Sequence, residues 1–179
     1  MTYTTLLKFD LANALEIKNV IHLLLGAHDS LVERSGYWQI IHHKSMNEAI
    51  LQTVQSLESD LSCMITCYQD IYEPELIRFI ETIFLEAPYD YYQFKTLLCS
   101  CPSIPTSKEL LDYLLAGTGV TKDVLLAMAA CDLNVSKAAS ILFMHRNTLL
   151  YKIDRMFQLK HFDLRCFNDL YLLIKLLKA

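Results

Sequence analysis

Apolar and polar positions divide this chain into short amphipathic segments, most with the three-to-four-residue spacing of a helix. Leu11, Leu15, Ile17, Ile21 and Leu24 fall near one side of the stretch Leu6 to Leu25, which predicts a helix there. Ser30 to Glu33 and Tyr37 to His42 flank Ser35-Gly36. Gly36 can take the positive φ of a tight turn, so this segment reads as a β-hairpin. Ser45-Met46-Asn47-Glu48 has the form of a capping box opening a helix, and Ile50, Val54 and Leu57 supply its stripe. Leu61 to Tyr68 mixes β-branched and apolar residues over the length of a strand. Glu73-Pro74-Glu75 starts another helix, because proline is tolerated in a first turn and acids favour its positive end. That helix runs to about Glu86 with Leu76, Phe79, Ile80 and Ile83 inward. Two or three strands covered by helices are expected here, a small α+β domain.

Cys101 to Ser107 is the one stretch with two nearby prolines, Pro102 and Pro105, and it places a domain junction. Residues 1–101 form the first expected domain and residues 102–179 the second. Ser107 is expected to cap a helix through Leu115 that Gly117-Thr118-Gly119 ends. Thr121 is expected to cap the next, to Cys131, with Val124, Leu125 and Met128 as support. Asn134 to Ile153 then reads as a short helix, a tight turn and a second helix that opens with polar and basic side chains. Ala138 and Ala139 are small enough for two helices to cross closely, and Leu142 and Met144 flank the turn. Leu149, Ile153 and Met156 continue the apolar stripe at i, i+4 and i+7. A last helix from about Phe167 to Lys178 offers Leu170, Leu173, Ile174 and Leu177, to close the core or to pair subunits. The fold class is mainly α: a small α+β N-terminal domain followed by an all-α helix-turn-helix domain.

With Leu149, Ile153 and Met156 inward, Asn147 and Tyr151 point away from the core and Arg146 and Lys152 lie on the flanks. An amide for a base edge, an aromatic hydroxyl and cations for phosphates are what groove reading requires. Ser136 and Lys137, at the start of the first helix, are placed for phosphates. Each residue also has a plainer reading. Asn147 and Thr148 fall where short polar side chains satisfy free amides, and His145 suits a hydrogen-bonded packing role beside the turn. Tyr151 can cover a neighbouring helix, and Arg146 and Lys152 can form a solvated face. Their joint occurrence in one turn-plus-helix unit favours DNA. The candidate DNA-binding set is Ser136, Lys137, His145, Arg146, Asn147, Thr148, Tyr151 and Lys152.

His145-Arg146-Asn147-Thr148-Leu149, followed by Tyr151 and Ile153, resembles the C-terminal helix-turn-helix of the PucR/CdaR-type bacterial transcription regulators. The likeness extends back through Ala139 and Leu142 and forward through Phe162-Asp163-Leu164-Arg165 and Asp169, within Leu110 to Leu177. It implies a DNA-binding regulator with a sensory region ahead of the module. Leu150 and Lys152 stand where that family prefers arginine, which removes guanidinium contacts and implies weaker or differently directed site recognition.

Charge is distributed in keeping with this reading. The chain carries a net −4, yet residues 120–179 hold nine basic against five acidic residues, a net of +4. Residues 1–119 hold seven against fifteen, a net of −8. A basic module joined to an acidic one suits a protein that docks one end on a polyanion. Hydrophobic residues make up 53%, with only 4 glycines and 4 prolines, so a compact helical protein with apolar surface left for a subunit interface is expected. A homodimer follows from that excess and from the small number of cations in one module. No apolar run reaches the roughly 20 residues of a membrane span, and the start lacks a secretory pattern, which implies a cytoplasmic protein. The six cysteines are then reduced thiols, none at zinc-site spacing, and His42-His43 adjoins no carboxylate partner. No cofactor or metal is expected. With four glycines, and without a nucleophile elbow or a His-Glu-x-x-His motif, catalysis is not expected either. The partners implied are double-stranded DNA and a second copy, with no membrane; a small-molecule effector has no residues assigned to it. The competing reading is a non-catalytic protein-protein interaction scaffold that retains the helix-turn-helix fold.

Overall fold

The computed structural model describes residues 2–9, 11–43, 47–61, 64–71, 73–88, 90–101, 104 and 107–178. The chain divides into two compact units, residues 1–102 and 103–179.

In the first unit five strands make one sheet: β1 (Thr2–Phe9), β2 (Ser30–Arg34), β3 (Tyr37–His43), β4 (Ile65–Ile71) and β5 (Tyr91–Tyr92), in the order β2-β3-β1-β4-β5. Every pairing is antiparallel except β4 with β5. This corrects the helix expected from Leu6 to Leu25. Only Ala14–Leu24 is α-helical (α1), after a 3-10 turn at Leu11–Asn13. Strand β1 is hydrogen-bonded along both edges and covered on both faces, so Thr4, Thr5, Leu6 and Leu7 are all buried. A strand buried on both faces shows an unbroken apolar run rather than alternation, and such a run does not distinguish strand from helix. The strand expected at Leu61 to Tyr68 starts later, because α2 (Asn47–Leu61) continues through Leu61 and β4 begins at Ile65. Among the described residues five strands replace the two or three expected, β1 and the two-residue β5 being the additions. The hairpin between β2 and β3 turns at Gly36, with φ 89°. The expected capping box lies partly outside the described residues, which exclude Ser45 and Met46. Pro102, Ser103, Pro105 and Thr106 of the expected junction, and Cys63, also lie outside them.

Register explains the packing. Leu7 pairs with Trp38 on one side and Cys67 on the other, so the three share a face. Ile17 and Ile21 of α1 and Ile50, Val54 and Leu57 of α2 close over that face. The alternate residues Leu6 and Lys8 point to the opposite face, which carries α3 (Pro74–Glu86) and α4 (Phe94–Ser100). The Lys8 ammonium donates to the carbonyls of Phe84, Leu85 and Ala87 at 3.3, 3.1 and 2.7 Å. Those carbonyls lie at the negative end of α3, where Phe84 also accepts the Ala87 amide, so the lysine serves as its C-terminal cap. The succession β1-α1-β2-β3-α2-β4 in the order 2-3-1-4 is a ferredoxin-like arrangement, extended by α3, β5 and α4.

The second unit is all helical: α5 (Ser107–Leu115), α6 (Lys122–Ala130), α7 (Val135–Ile141), α8 (Arg146–Lys160) and α9 (Phe167–Lys178). The fold class is therefore the one read from sequence. Local details differ. Ser107 is the buried first residue of α5, not its cap, and Thr121 holds the cap position of α6 without a side-chain hydrogen bond. Gly117 and Gly119 take φ of 75° and 78° between α5 and α6. Leu110, Leu114, Leu125, Met128, Phe162 and Leu173 are the centre of the core. Leu172 and Leu176 join Leu170 and Leu173 inside, while Ile174 and Leu177 are half-buried, because α9 packs on both α5 and α6. No described helix is long and apolar enough to cross a membrane.

One buried polar chain in the first unit sets a pH dependence. His42 is 1% exposed; its Nδ1 lies 2.9 Å from the His43 carbonyl and its Nε2 lies 2.8 Å from the Thr5 hydroxyl. The Gln69 amide donates to the same hydroxyl at 3.1 Å. A carbonyl only accepts, so the Nδ1 carries the proton, and the Nε2 lone pair takes the hydroxyl proton of Thr5. Charging the ring would break that last bond. Burial pushes the His42 pKa below its ordinary 6.5, partly opposed by the His43 carbonyl and Asp29. A lowered folded pKa contributes stability above the unfolded value, and that contribution is lost as pH falls from about 6.5 toward the folded value. Denaturation of the full chain followed by Trp38, its only tryptophan, should therefore show wild type losing up to about 1.4 kcal/mol per pH unit more than His42→Gln below pH ~6.5. Parallel pH profiles for the two proteins would remove this assignment.

Candidate nucleic-acid interface

The turn between α7 and α8 decides which side of α8 is free. Asn134 caps α7, its Oδ1 accepting the Lys137 amide at 3.1 Å. Ala138 and Ala139 are 0% and 2% exposed at the crossing of the two helices. The Met144 amide donates back to the Ala139 carbonyl at 3.0 Å and the Phe143 amide to Ser140 at 3.2 Å, closing the helix end. This closure holds Phe143 at φ 51°, a conformation that side chains with a Cβ resist, while its ring is 99% exposed. His145 then occupies the cap position of α8, and its Nδ1 accepts the Asn147 amide at 3.2 Å.

Because His145 supplies the cap, Asn147 and Thr148 are not needed for it. Both side chains are exposed, and no hydrogen bond to either is present among the described residues. Leu149, Ile153 and Met156 are 0% exposed, which turns Asn147, Tyr151, Arg155 and Gln158 outward along α8. Tyr151 is 62% exposed and its phenol oxygen accepts from Arg155 Nη1 at 3.2 Å. Arg146 Nε donates to Ser136 Oγ at 3.1 Å, tying α8 to the first turn of α7. Lys137 is exposed beside Ser136. Lys152 is half-buried, its Cγ 3.6 Å from where a side chain on Gly119 would begin, so its stem runs along the loop between α5 and α6. The fold thus gathers Ser136, Arg146, Asn147, Thr148 and Tyr151 along α8 and the first turn of α7, with Lys137 and Lys152 flanking. His145 is engaged in the turn itself.

Residues 134–160 hold five basic residues and a single acid, Asp154. Asp154 accepts from Arg165 Nη1 at 3.1 Å, while Arg165 Nε bonds Asp163 at 2.8 Å. The one negative charge on α8 is thereby offset locally. At the far end, Lys160 stacks over the Tyr113 ring of α5 at 3.8 Å and anchors α8 to the scaffold. Sequence reasoning missed Arg155 and Phe143. Arg155 was findable, since it lies four residues after Tyr151 and eight after Asn147 on one helical face. Among the described residues no group of three or more His, Cys, Asp or Glu is placed to hold a metal ion.

A short helix with small buried residues, a tight turn, and a second helix with a polar, cationic outer face define a helix-turn-helix module. Residues 122–179 match the family model of the PucR C-terminal helix-turn-helix domain, and this part of the chain is a domain of that type. The match spans less than half of the chain. The fold is also similar to the crystal structure of a regulator of polyketide synthase expression from Bifidobacterium adolescentis. That similarity has a TM-score of 0.53 at 13% identity and covers 99% of this chain and 79% of the other. No curated protein matches the sequence.

Two substitutions test the turn. Phe143→Gly relieves the left-handed backbone and removes an exposed ring, so thermal unfolding of the second unit should shift up by a few degrees, about 0.5–1 kcal/mol. A lower midpoint would mean that the ring packs. His145→Ala should cost about 1 kcal/mol and speed hydrogen exchange at the Asn147 amide, whereas His145→Asn should keep most of both. Unaltered exchange in the alanine variant would refute the cap.

Proposed function

We propose that the chain is a sequence-specific, DNA-binding transcription regulator that acts as a homodimer in the cytoplasm and catalyses no reaction. The observation that carries this is the outward row Asn147, Tyr151 and Arg155 on a helix whose other side is fully buried. The match of residues 122–179 to a PucR-type domain supports it. In this reading α8 enters the major groove. Asn147 offers donor and acceptor together, as an adenine edge requires, and the Tyr151 phenol is steadied by Arg155. Arg146, held by Ser136, meets a base edge or an adjacent phosphate, while Lys137 and Lys152 meet phosphates. Thr148 and His145 border the contact. Leu150, half-buried where arginine is usual in the resembling family, supports packing and leaves Arg155 and Arg146 as the guanidinium groups on α8.

Four or five cations on phosphates give a salt slope of only about −4 per subunit. Two modules on half-sites a DNA turn apart, about 34 Å, or a multiple of it, would double that. Residues 1–101 are assigned a sensory role, with no ligand specified, and a share in dimerisation beside the second unit. The alternative is a protein-protein interaction scaffold, favoured by the exposed aromatic residues of the second unit such as Phe167 and Tyr171.

Selection from a randomised duplex library at fixed salt, followed by titration of the enriched site, separates the two. Asn147→Ala should lose about 1–3 kcal/mol on that site and relax its preference, while Lys137→Ala should weaken all sequences alike and reduce the salt slope by about 1. Failure to enrich any sequence, or binding that ignores added salt, would favour the scaffold.

A further inference from the structure

The outer face of α9 is apolar and carries its own charge pattern. Phe167, Tyr171, Ile174 and Lys178 follow at i, i+4, i+7 and i+11, one line along the helix. Phe167 is 68% and Tyr171 55% exposed, and their rings stack at 6.1 Å with 20° between planes. With Leu133 and Leu170 they line an open apolar groove of about 270 Å³. Core packing does not need this line, because Leu170, Leu172, Leu173 and Leu176 already hold α9 against α5 and α6. Stacked aromatic rings left in water lose the benefit of burial that such side chains ordinarily supply.

We propose that this groove is the surface through which the second units of two copies pair about a two-fold axis. The proposal rests on, and deepens, the homodimer reading above by naming its contact in the helix-turn-helix unit. Charge selects the occupant. Asp132 lines the groove, whereas Lys178 ends the line about 16 Å beyond Phe167 at 1.5 Å per residue. Two α9 helices laid antiparallel, with the axis near Tyr171 and Ile174, set the Lys178 of each opposite Phe167 of the other, at the groove that Asp132 lines. The face is therefore self-complementary, as an isologous contact requires. Aromatic side chains at the centre and opposite charges at the rim match the usual layout of such contacts. The pairing uses α9, which packs on α5 and α6, and leaves the outward row of α8 uncovered.

Sedimentation of the full chain without DNA tests this. Wild type should be a dimer at micromolar concentration, and Tyr171→Glu, at an exposed helical site, should raise the dimer dissociation constant at least 30-fold with unchanged circular dichroism. Lys178→Glu should weaken the dimer about 5-fold, and less when Asp132→Asn, which tolerates the left-handed backbone at that position, is already present. A dimer indifferent to Tyr171→Glu overturns this surface and leaves the homodimer reading standing. A wild-type chain monomeric at all concentrations overturns both and leaves the groove to a different protein.

Discussion

The functional reading depends on one constraint: α8 can bury only the side that carries Leu149, Ile153 and Met156. Rotating the helix by a third of a turn would place Asn147 or Arg155 in the core without partners, at a cost that no surface contact offsets. The turn before α8 enforces the same orientation independently. Ala138 and Ala139 let α7 approach, the Met144 amide closes α7 onto Ala139, and His145 takes the Asn147 amide in the first turn of α8. Hydrophobic burial and backbone hydrogen bonding therefore agree on which residues face outward, and that agreement between levels is what gives the site a defined geometry.

The outward row is ordered as well as exposed. Ser136 takes one nitrogen of Arg146, and Arg155 takes the phenol oxygen of Tyr151. Long side chains lose rotamer freedom on binding, and each such bond restricts that freedom in advance. Asp154 would repel a phosphate, but Arg165 engages it from beyond the helix. The first unit is ordered by different means. A central strand is covered on both faces, and the C-terminal end of α3 is held by Lys8.

The legible parts of the sequence were those where pattern and chemistry coincide. The second unit's helices were readable because their stripes keep one period and Gly117 and Gly119 punctuate them. The β2–β3 hairpin was readable from Gly36 between two strand-length segments. Strand β1 was not, since TYTTLLKF has both-face burial and no alternation, and only its threonines hinted at a strand. Strand β5 has two residues and depends on its parallel partner β4, a long-range pairing that local pattern cannot carry. In the candidate site, Asn147 and Tyr151 followed from periodicity and from the family resemblance. The capping role of His145 needed coordinates, because it depends on which nitrogen meets which amide. Ser136 read as a phosphate contact, and only the fold shows it holding Arg146.

The central claim is that the outer face of α8 meets DNA. Its most direct measurement is photo-cross-linking of duplex genomic fragments by the full chain carrying a photoreactive phenylalanine at one position at a time. The account predicts DNA adducts from positions 147 and 151, lost at high salt, and none from position 52 on α2. Adducts from position 52 alone, or none from either position on α8, would contradict it.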